Sequence, residues 1–351
     1  TLFNALTATA AAQAANYPFC TIEPNIGRVS VPDARLQEIA RIGKSASIVP
    51  THLEFVDIAG LVRGASKGEG LGNQFLANIR ETDAVLHVLR CFEDENITHV
   101  EATVDPIRDK EIIETELMIA DMESLEKRID PLRKKAKGGD KEAALQVQVI
   151  EACLIALNAG KPARTVTLNT EDEAKAFKAL QLLTSKPVLY IANVLEADAK
   201  TGNKHTQRVA EMAKTEGAGS VVICAAIESE IAQLGSEEEK KEFLQAIGLD
   251  EPGLNRVIRA GYDLLGLITF FTVGPKEARA WTVKKGSKAP QAAGVIHTDF
   301  ERGFIRAETI AMKDFTALGG EQAAKEAGKM RSEGKEYTVA DGDVMLFRFN
   351  V

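Results

Sequence analysis

Four short apolar runs before residue 230 constrain the fold more than any other feature of this sequence. Each run is rich in β-branched residues and is followed by turn residues and a helical pattern. The runs are His52–Ile58, Ala84–Leu89, Pro187–Ala192 and Ser220–Ala225. Near-continuous apolar runs that alternate with helices are typical of parallel strands covered on both faces. The sequence therefore predicts an α/β domain with a doubly wound, parallel-rich sheet, and ligands of such sheets bind at the carboxyl ends of the strands.

Two further segments depart from this pattern. Between residues 110 and 164, apolar residues recur at spacings of three and four, and Gly138-Gly139 breaks the period, which predicts an inserted antiparallel helical hairpin. From Leu267 onward the pattern predicts a small α+β domain. Its expected strands and helical stretch are Ile268–Val273, Ala278–Val283, Ile305–Ile310, Tyr337–Val339, Val344–Val351 and, for the helix, Gly320–Arg331. We therefore expect three parts: residues 1–109 with 165–266, residues 110–164, and residues 267–351.

Composition excludes several classes of protein. The 351 residues are 45% hydrophobic and 27% charged, as in ordinary globular proteins. No apolar run is long enough to cross a bilayer, so we expect no membrane partner, and the N-terminus does not resemble a secretory signal. The four cysteines are far apart, which argues against a disulfide framework or zinc site and fits a reducing cytoplasm. They are Cys20, Cys91, Cys153 and Cys224.

The charge of the chain is uneven. The formal net charge is −8, which argues against a general nucleic-acid binder and a DNA partner, but the residues from Leu267 onward carry 13 basic and 11 acidic side chains. This segment is the better candidate for contact with an RNA-rich partner. Its basic residues cluster at Arg279, Lys284, Lys285 and Lys288, although the same charges could merely keep a small domain soluble.

The sharpest chemical signal follows the first apolar run. Asp57-Ile58-Ala59-Gly60 places a carboxylate at a strand end with a glycine three residues later. Such an aspartate can hold phosphate-bound magnesium through water, and the Gly60 N–H can approach a γ-phosphate because no Cβ intervenes. By itself the motif is weak, since chance copies mark turns. Its context strengthens it, because a glycine-dense loop follows at Gly64, Gly68, Gly70 and Gly72.

Two neighbouring residues bear on the same chemistry. Thr21 lies in an extended, proline-punctuated loop before the Asp57 strand, where nucleotide switches carry a threonine that coordinates magnesium; a turn-capping role is equally compatible. Leu61 follows Gly60, where many nucleotide hydrolases carry a glutamine that orients the attacking water. Leucine cannot do so, and we therefore assign no catalytic residue and expect slow intrinsic turnover.

The third apolar run ends in Asn193-Val194-Leu195-Glu196. Guanine-specific hydrolases carry Asn-Lys-x-Asp at this place, and here Val194 replaces the lysine and Glu196 the aspartate. Recognition of guanine is therefore in doubt, whereas adenine does not require the carboxylate. An ordinary asparagine-led turn is the alternative interpretation. The fourth run ends in Cys224-Ala225-Ala226, where the N–H groups of Ala225 and Ala226 could brace a base.

These residues together closely resemble the YchF subfamily of Obg-like ATPases. The match rests on Asn16–Pro24, Asn193–Glu196, Cys224–Ala226 and above all Asp57–Gly72, which resembles the family's switch loop nearly letter for letter. Ala289–Ala293 and His297–Glu301 resemble its C-terminal TGS domain, a ubiquitin-like β-grasp module. The resemblance implies a P-loop NTPase G domain and a magnesium-dependent ATPase that prefers ATP to GTP. It also implies association with ribosomes, through the large subunit or the whole particle.

The resemblance extends to individual residues and partners. It implies that Thr21 is a Mg²⁺ ligand, in addition to Asp57 as inferred above, and that Asn193 and Val194 contact the base. Ribosomal RNA is the expected nucleic-acid partner, and ribosomes or K⁺ are candidates to accelerate hydrolysis. One departure is that only Thr1 matches the family's phosphate-binding loop, Asn-Val-Gly-Lys-Ser-Thr. We expect the remainder of that loop upstream of this sequence, and the chain as written should bind nucleotide poorly.

Two other classes of function compete with the ATP-hydrolysing switch. A degenerate G domain could hold RNA or protein through the hairpin and C-terminal domain without turnover. A P-loop sequence ahead of Thr1 would favour the enzyme, and its absence would favour this scaffold. A thiol redox protein is the third class, suggested by Cys20 and Cys91. Scattered cysteines are far more often packing residues.

Overall fold

The computed structural model describes residues 1–7, 25–58, 71–94, 97 and 103–350. The chain divides into two compact units. One comprises Thr1–Gly27 and Phe55–Leu254, and the other comprises Arg28–Glu54 and Asn255–Val351. Within the described residues, no helix is both long enough and apolar enough to cross a membrane.

A parallel three-stranded sheet forms the centre of the first unit. Its strands β4 (Val85–Arg90), β5 (Val188–Asn193) and β6 (Gly219–Ile223) lie in the order β4-β5-β6. In the register of this sheet, Ala192 of β5 lies opposite Leu89 on one side and Val222 on the other. Side chains on both faces of β5 are buried, which explains why this strand has a continuous rather than an alternating apolar sequence.

Helices and short strands precede and follow the strands of this sheet along the chain. The elements before β4 are α1 (Leu2–Thr7), β1 (Asn25–Ser30), α2 (Ala34–Gly43), β2 (Ser47–Val49), β3 (His52–Asp57) and α3 (Leu71–Glu81). β1 and β3 pair with each other. The helices that follow β4, as far as Leu264, are α4 (Pro106–Lys137), α5 (Lys141–Asn158), α6 (Glu171–Ala179), α7 (Lys204–Thr215), α8 (Ala225–Ile231), α9 (Glu237–Ala246) and α10 (Gly253–Leu264).

The long helices α4 and α5 form the predicted hairpin. Asp105 caps α4, because its carboxylate accepts hydrogen bonds from the N–H groups of Ile107 at 3.1 Å and Arg108 at 3.4 Å. Asp140 caps α5 in the same way through Ala143 N–H at 3.0 Å. The helices end and begin around Gly138-Gly139, where the sequence pattern predicted the break. Fully buried side chains on the facing surfaces, including those of Leu125, Ile150 and Cys153, hold the two helices together.

The second unit contains a six-stranded sheet. Its strands after α10 are β7 (Leu267–Val273), β8 (Glu277–Lys284), β9 (Phe304–Ala311), β10 (Arg331–Glu333) and β11 (Asp343–Phe349), and the order is β10-β9-β11-β7-β8-β2. Its later helices are α11 (Ala289–Ile296), α12 (Thr298–Arg302), α13 (Met312–Leu318) and α14 (Glu321–Glu326). Successive residues of a strand point to opposite faces. Accordingly Phe270 packs with Ala289 and Ala292 of α11, whereas Phe271 packs with Ile39 of α2 and with Phe315.

Residues 28–54 depart from the domain division expected from the sequence, which placed them with the α/β domain. β2 pairs in parallel with β8, so that Ile48 lies opposite Ala278. α2 buries Leu36 and Ile39 in the same hydrophobic cluster as Phe271. These contacts place the segment within the second unit.

The predicted strand at Tyr337–Val339 is reduced to an isolated antiparallel bridge between Thr338 and Lys288. Ala289 N–H donates to Tyr337 O and Val339 N–H donates to Ser287 O, each at 2.9 Å, and no ladder extends beyond them. The Tyr337 hydroxyl donates to the Asp343 carboxylate at 2.7 Å. The predicted helix Gly320–Arg331 is also too long, because α14 ends at Glu326 and β10 begins at Arg331.

Candidate functional site

The carboxyl end of β5 is the best-defined part of the candidate site. The Asn193 side chain is anchored, because its Oδ1 accepts a hydrogen bond from Ala225 N–H at 3.0 Å. The Asn193 main-chain carbonyl accepts from Cys91 N–H at 2.8 Å, and Val194 N–H donates to Ile223 O at 2.9 Å. Asn193 therefore ties together the ends of all three parallel strands. Its Nδ2 donors have no partner among the described residues.

Val194 and Glu196 differ sharply in environment. The Val194 side chain is 2% exposed and lies in the core cluster beside Ala199 and Val209. It can contribute to a base site only through its main-chain carbonyl, because its N–H is already bonded. Glu196 begins a short 3₁₀ turn, Glu196–Asp198, and is exposed. The one acidic side chain predicted at this strand end is thus accessible to a ligand.

Asn203 braces the same turn, and the sequence interpretation did not include it. Its Nδ2 donates to Cys91 O at 2.8 Å and to the Asp198 carboxylate at 2.7 Å. Its Oδ1 accepts from His205 N–H at 3.0 Å and Thr206 N–H at 3.2 Å, which caps α7. An asparagine directly before a helical pattern is a recognisable capping signal. No sequence pattern indicates its hydrogen bonds to Cys91 and Asp198.

Ala225 and Ala226 lie at the start of α8 and differ in availability. The Ala225 N–H is occupied by Asn193, and the residue is largely buried. Ala226 is exposed. Of the two N–H groups expected to brace a base, only that of Ala226 remains for this role.

Asp57 ends β3, as the strand pattern predicted. Burial raises the pKa of its carboxyl above the ordinary value. α1 begins directly after Thr1, whose carbonyl accepts from Ala5 N–H at 3.0 Å. Thr21, Gly60 and Leu61 lie outside the described residues.

The donor set fits magnesium only if a nucleotide supplies part of the coordination. The described residues contain no group of three or more His, Cys, Asp or Glu side chains that could hold a metal ion. Among the described residues, none donates a hydrogen bond to the Asp57 carboxylate. A hard cation that takes one carboxylate and completes its shell with water and phosphate oxygens matches this arrangement.

The described cysteines do not support thiol chemistry. Cys91 and Cys153 are fully buried, and burial raises the pKa of the Cys91 thiol to about 12 and that of Cys153 to about 11. Cys224 is also buried. A reactive cysteine needs a lowered pKa and access to solvent, so these three residues are packing residues. Cys20 lies in the part of the chain that the structure does not describe.

Comparison with known proteins decides the family. A family model described as "50S ribosome-binding GTPase" matches residues 1–122, and the model for the C-terminal region of YchF GTPases, described as a protein of unknown function, matches residues 267–350. A Haemophilus influenzae protein named "Ribosome-binding ATPase YchF" is 61% identical over all of this chain and 96% of its own length. The protein of that name from Bacillus subtilis is 56% identical with the same coverage. The chain belongs to the YchF family.

A solved structure extends the comparison to the fold. The Schizosaccharomyces pombe YchF GTPase superposes with a TM-score of 0.85 at 38% identity, covering 99% of this chain and 93% of that one. The predicted α/β class with a G domain is confirmed, and so is the predicted enzyme class at the level of the family, whose members are named as nucleoside triphosphate hydrolases. The names of these relatives differ on the nucleotide, since the bacterial proteins are called ATPases and the yeast protein a GTPase.

Proposed function

We propose that this YchF-family chain is a magnesium-dependent, ATP-hydrolysing molecular switch that associates with ribosomes in the cytoplasm. The names of the bacterial relatives support ATP hydrolysis and ribosome binding. The observation that carries the proposal is the end of β5, where Asn193 is held by Ala225 and Glu196 remains exposed. This arrangement provides an anchored pair of Asn193 Nδ2 donors next to an accessible carboxylate.

Preference for ATP follows from what this strand end lacks. A guanine site needs a carboxylate that accepts from both the ring N–H and the exocyclic amine, and Glu196 is one methylene longer than the usual aspartate. The lysine of the guanine motif is replaced by Val194, whose side chain is buried in the core. Adenine offers an exocyclic amine and an unprotonated ring nitrogen. The Asn193 Nδ2 and the main-chain carbonyl of Val194 have the matching donor and acceptor character.

Competitive titration tests the preference. The protein should bind ATP more tightly than GTP when each nucleotide displaces a fluorescent ATP analogue. Restoring the guanine motif with Glu196→Asp and Val194→Lys would not be a clean control, because Val194 is a core residue. Glu196→Asp alone is the better matched variant, and it should reduce the difference between the affinities for ATP and GTP. Tighter binding of GTP by tenfold, about 1.4 kcal/mol, would contradict the proposal.

Asp57 and Thr21 are the residues that we propose to hold magnesium. The ion would neutralise the charge that develops on the phosphates during hydrolysis. Asp57 would contribute its carboxylate through water, and Thr21 its hydroxyl. Gly60 would present its N–H to the γ-phosphate, and Thr1 would complete the site as the last residue of the phosphate-binding loop. Because Leu61 cannot orient water, we expect slow turnover in the absence of ribosomes or K⁺.

Ribosomal RNA is the partner that we propose for the ribosome-bound state. The C-terminal basic cluster is one candidate surface, in the domain proposed to be a β-grasp TGS module. Two of its members are paired within the unit, because Arg279 bonds to Glu277 at 2.9 Å and Lys288 forms an ion pair with Glu336. Lys284 and Lys285 are exposed. The cluster therefore offers less free positive charge than its sequence suggests.

A further inference from the structure

We propose that the tip of the α4–α5 hairpin is the principal surface through which this chain contacts the phosphate backbone of ribosomal RNA. The hairpin tip is defined here as residues 133–141. This inference rests on the proposed ribosome association and adds the surface that makes the contact.

The tip concentrates positive charge in an acidic protein. Residues 133–141 contain five basic residues and one acidic residue, whereas the chain as a whole has a net charge of −8. The basic residues are Arg133, Lys134, Lys135, Lys137 and Lys141. All five are exposed. A positively charged hairpin tip in a chain of net negative charge favours association of the tip with a polyanion.

The lysines of the tip are not neutralised by neighbours. Arg133 pairs with Glu151 at 2.8 Å and lies 3.7 Å from Asp130. Among the described residues, no acidic side chain forms an ion pair with Lys134, Lys135, Lys137 or Lys141. The one acidic residue of the tip, Asp140, is engaged in capping α5. Four unpaired lysines at the tip compare with two in the C-terminal cluster.

The shape of the hairpin presents these charges at a distance from its root. α4 has 32 residues and is therefore about 48 Å long at 1.5 Å per residue. The last buried residues of the two helices toward the tip are Ile129 and Ala143. The turn between the helices is open, because Gly139 has a φ of +93° and a Cβ placed there would meet no atom within 4 Å. A phosphate backbone can approach the turn without steric conflict.

The chemistry of the tip favours RNA over a membrane. Leu132 is the one large aliphatic side chain in residues 130–141, and it packs partly buried against the hairpin core. A helix end that inserts into a bilayer interface exposes large apolar side chains together with its lysines, and this tip does not. Lysines in the last turn of α4 also complement the helix dipole. If these lysines served only to complement the dipole, replacing them would not weaken ribosome binding.

Matched neutralisation of the two lysine groups tests the inference. The tip variant carries Lys134→Gln, Lys135→Gln and Lys137→Gln, and the control variant carries Lys284→Gln, Lys285→Gln and Lys288→Gln. Glutamine keeps helix propensity close to that of lysine, and circular dichroism with basal ATP hydrolysis verifies folding. The full-length proteins are pelleted with purified bacterial ribosomes across a salt series, and titrated with protein-free ribosomal RNA.

The tip variant should bind ribosomes and free RNA about tenfold or more weakly at low salt, and its log–log salt slope should fall by about 2–3. The control variant should lose less affinity for ribosomes and for free RNA. Unchanged binding of the tip variant, or an equal or larger loss in the control, would overturn the inference in favour of the C-terminal cluster or a protein contact. Both proteins are also tested with anionic phospholipid vesicles. If the tip variant binds these vesicles more weakly but binds ribosomes and RNA as wild type does, the inference is overturned. Failure of the wild-type chain to pellet at any salt would instead refute the proposed ribosome association.

Discussion

Asn193 has one observed structural role and one proposed role in binding the base, and two substitutions should distinguish them. Its Oδ1 accepts the Ala225 N–H at 3.0 Å, and its Nδ2 is free among the described residues to meet a base. Asn193→Ala removes both atoms and leaves the N–H of a largely buried residue without its acceptor. An unsatisfied buried amide costs about 1–3 kcal/mol. Because Asn193 itself is only half-buried, we expect a loss of about 1–2 kcal/mol in the free energy of unfolding.

Asn193→Asp keeps an acceptor for Ala225 and removes only the Nδ2 donors. Its unfolding free energy should therefore stay within about 0.5 kcal/mol of wild type. Both variants should bind ATP at least about tenfold more weakly, a loss of about 1.4 kcal/mol, because the base loses its donor. The aspartate variant should be the weaker binder of the two, since it adds negative charge beside the nucleotide.

Urea unfolding without nucleotide and isothermal titration with ATP measure the two effects independently. Asn158→Ala is a matched control, because the Asn158 side chain is exposed and its one hydrogen bond within the described residues is to Leu154 O of its own helix. It should change neither quantity by more than about 0.5 kcal/mol. Equal destabilisation by the alanine and aspartate variants would refute the structural role of the Asn193–Ala225 bond. ATP binding by Asn193→Asp at the wild-type level would refute the base contact.

Two further outcomes are expected. Burial lowers the pKa of His87 to about 4, so the unfolded state binds more protons between about pH 6.5 and 4 and stability falls as the pH falls through that window. His87→Gln should reduce this acid-induced loss by about 2–3 kcal/mol in urea titrations at several pH values, and equal loss in both proteins would contradict it. Leu61→Gln should retain ATP hydrolysis. Loss of hydrolysis in Leu61→Ala with nucleotide binding intact would show that Leu61 is catalytic.

The strands of the parallel sheet were predictable because their signal is local. The apolar run Pro187–Ala192 corresponds to β5 within one residue at each end, since a strand buried on both faces needs a continuous apolar sequence. The hairpin was equally accessible, because Gly138-Gly139 interrupts a long helical period. The apolar periodicity of two helices of this length is visible within the segment itself, without knowledge of distant contacts.

Elements that depend on distant partners were not predictable. β2 has only three residues, Ser47–Val49, and exists because β8 pairs with it from more than 200 positions away. At the site, the sequence identified Asn193 and Glu196 by their position after a strand. It could not show that Val194 faces the core or that the Ala225 N–H is occupied, because both depend on β6 and α8.

The root of the hairpin and the proposed base site meet on the same strand. Glu216, at the end of α7, accepts hydrogen bonds from Lys110 of α4 at 2.5 Å and from Tyr190 of β5 at 2.6 Å, and Arg164 after α5 lies 3.5 Å away. Burial raises the pKa of Glu216, but these partners outweigh it and the net pKa is lowered. One ionised carboxylate therefore joins both legs of the hairpin to β5, three residues before Asn193. Because the strand is buried on both faces, it cannot shift without repacking the core. The root of the hairpin is thus bonded to the strand whose carboxyl end carries the proposed base site.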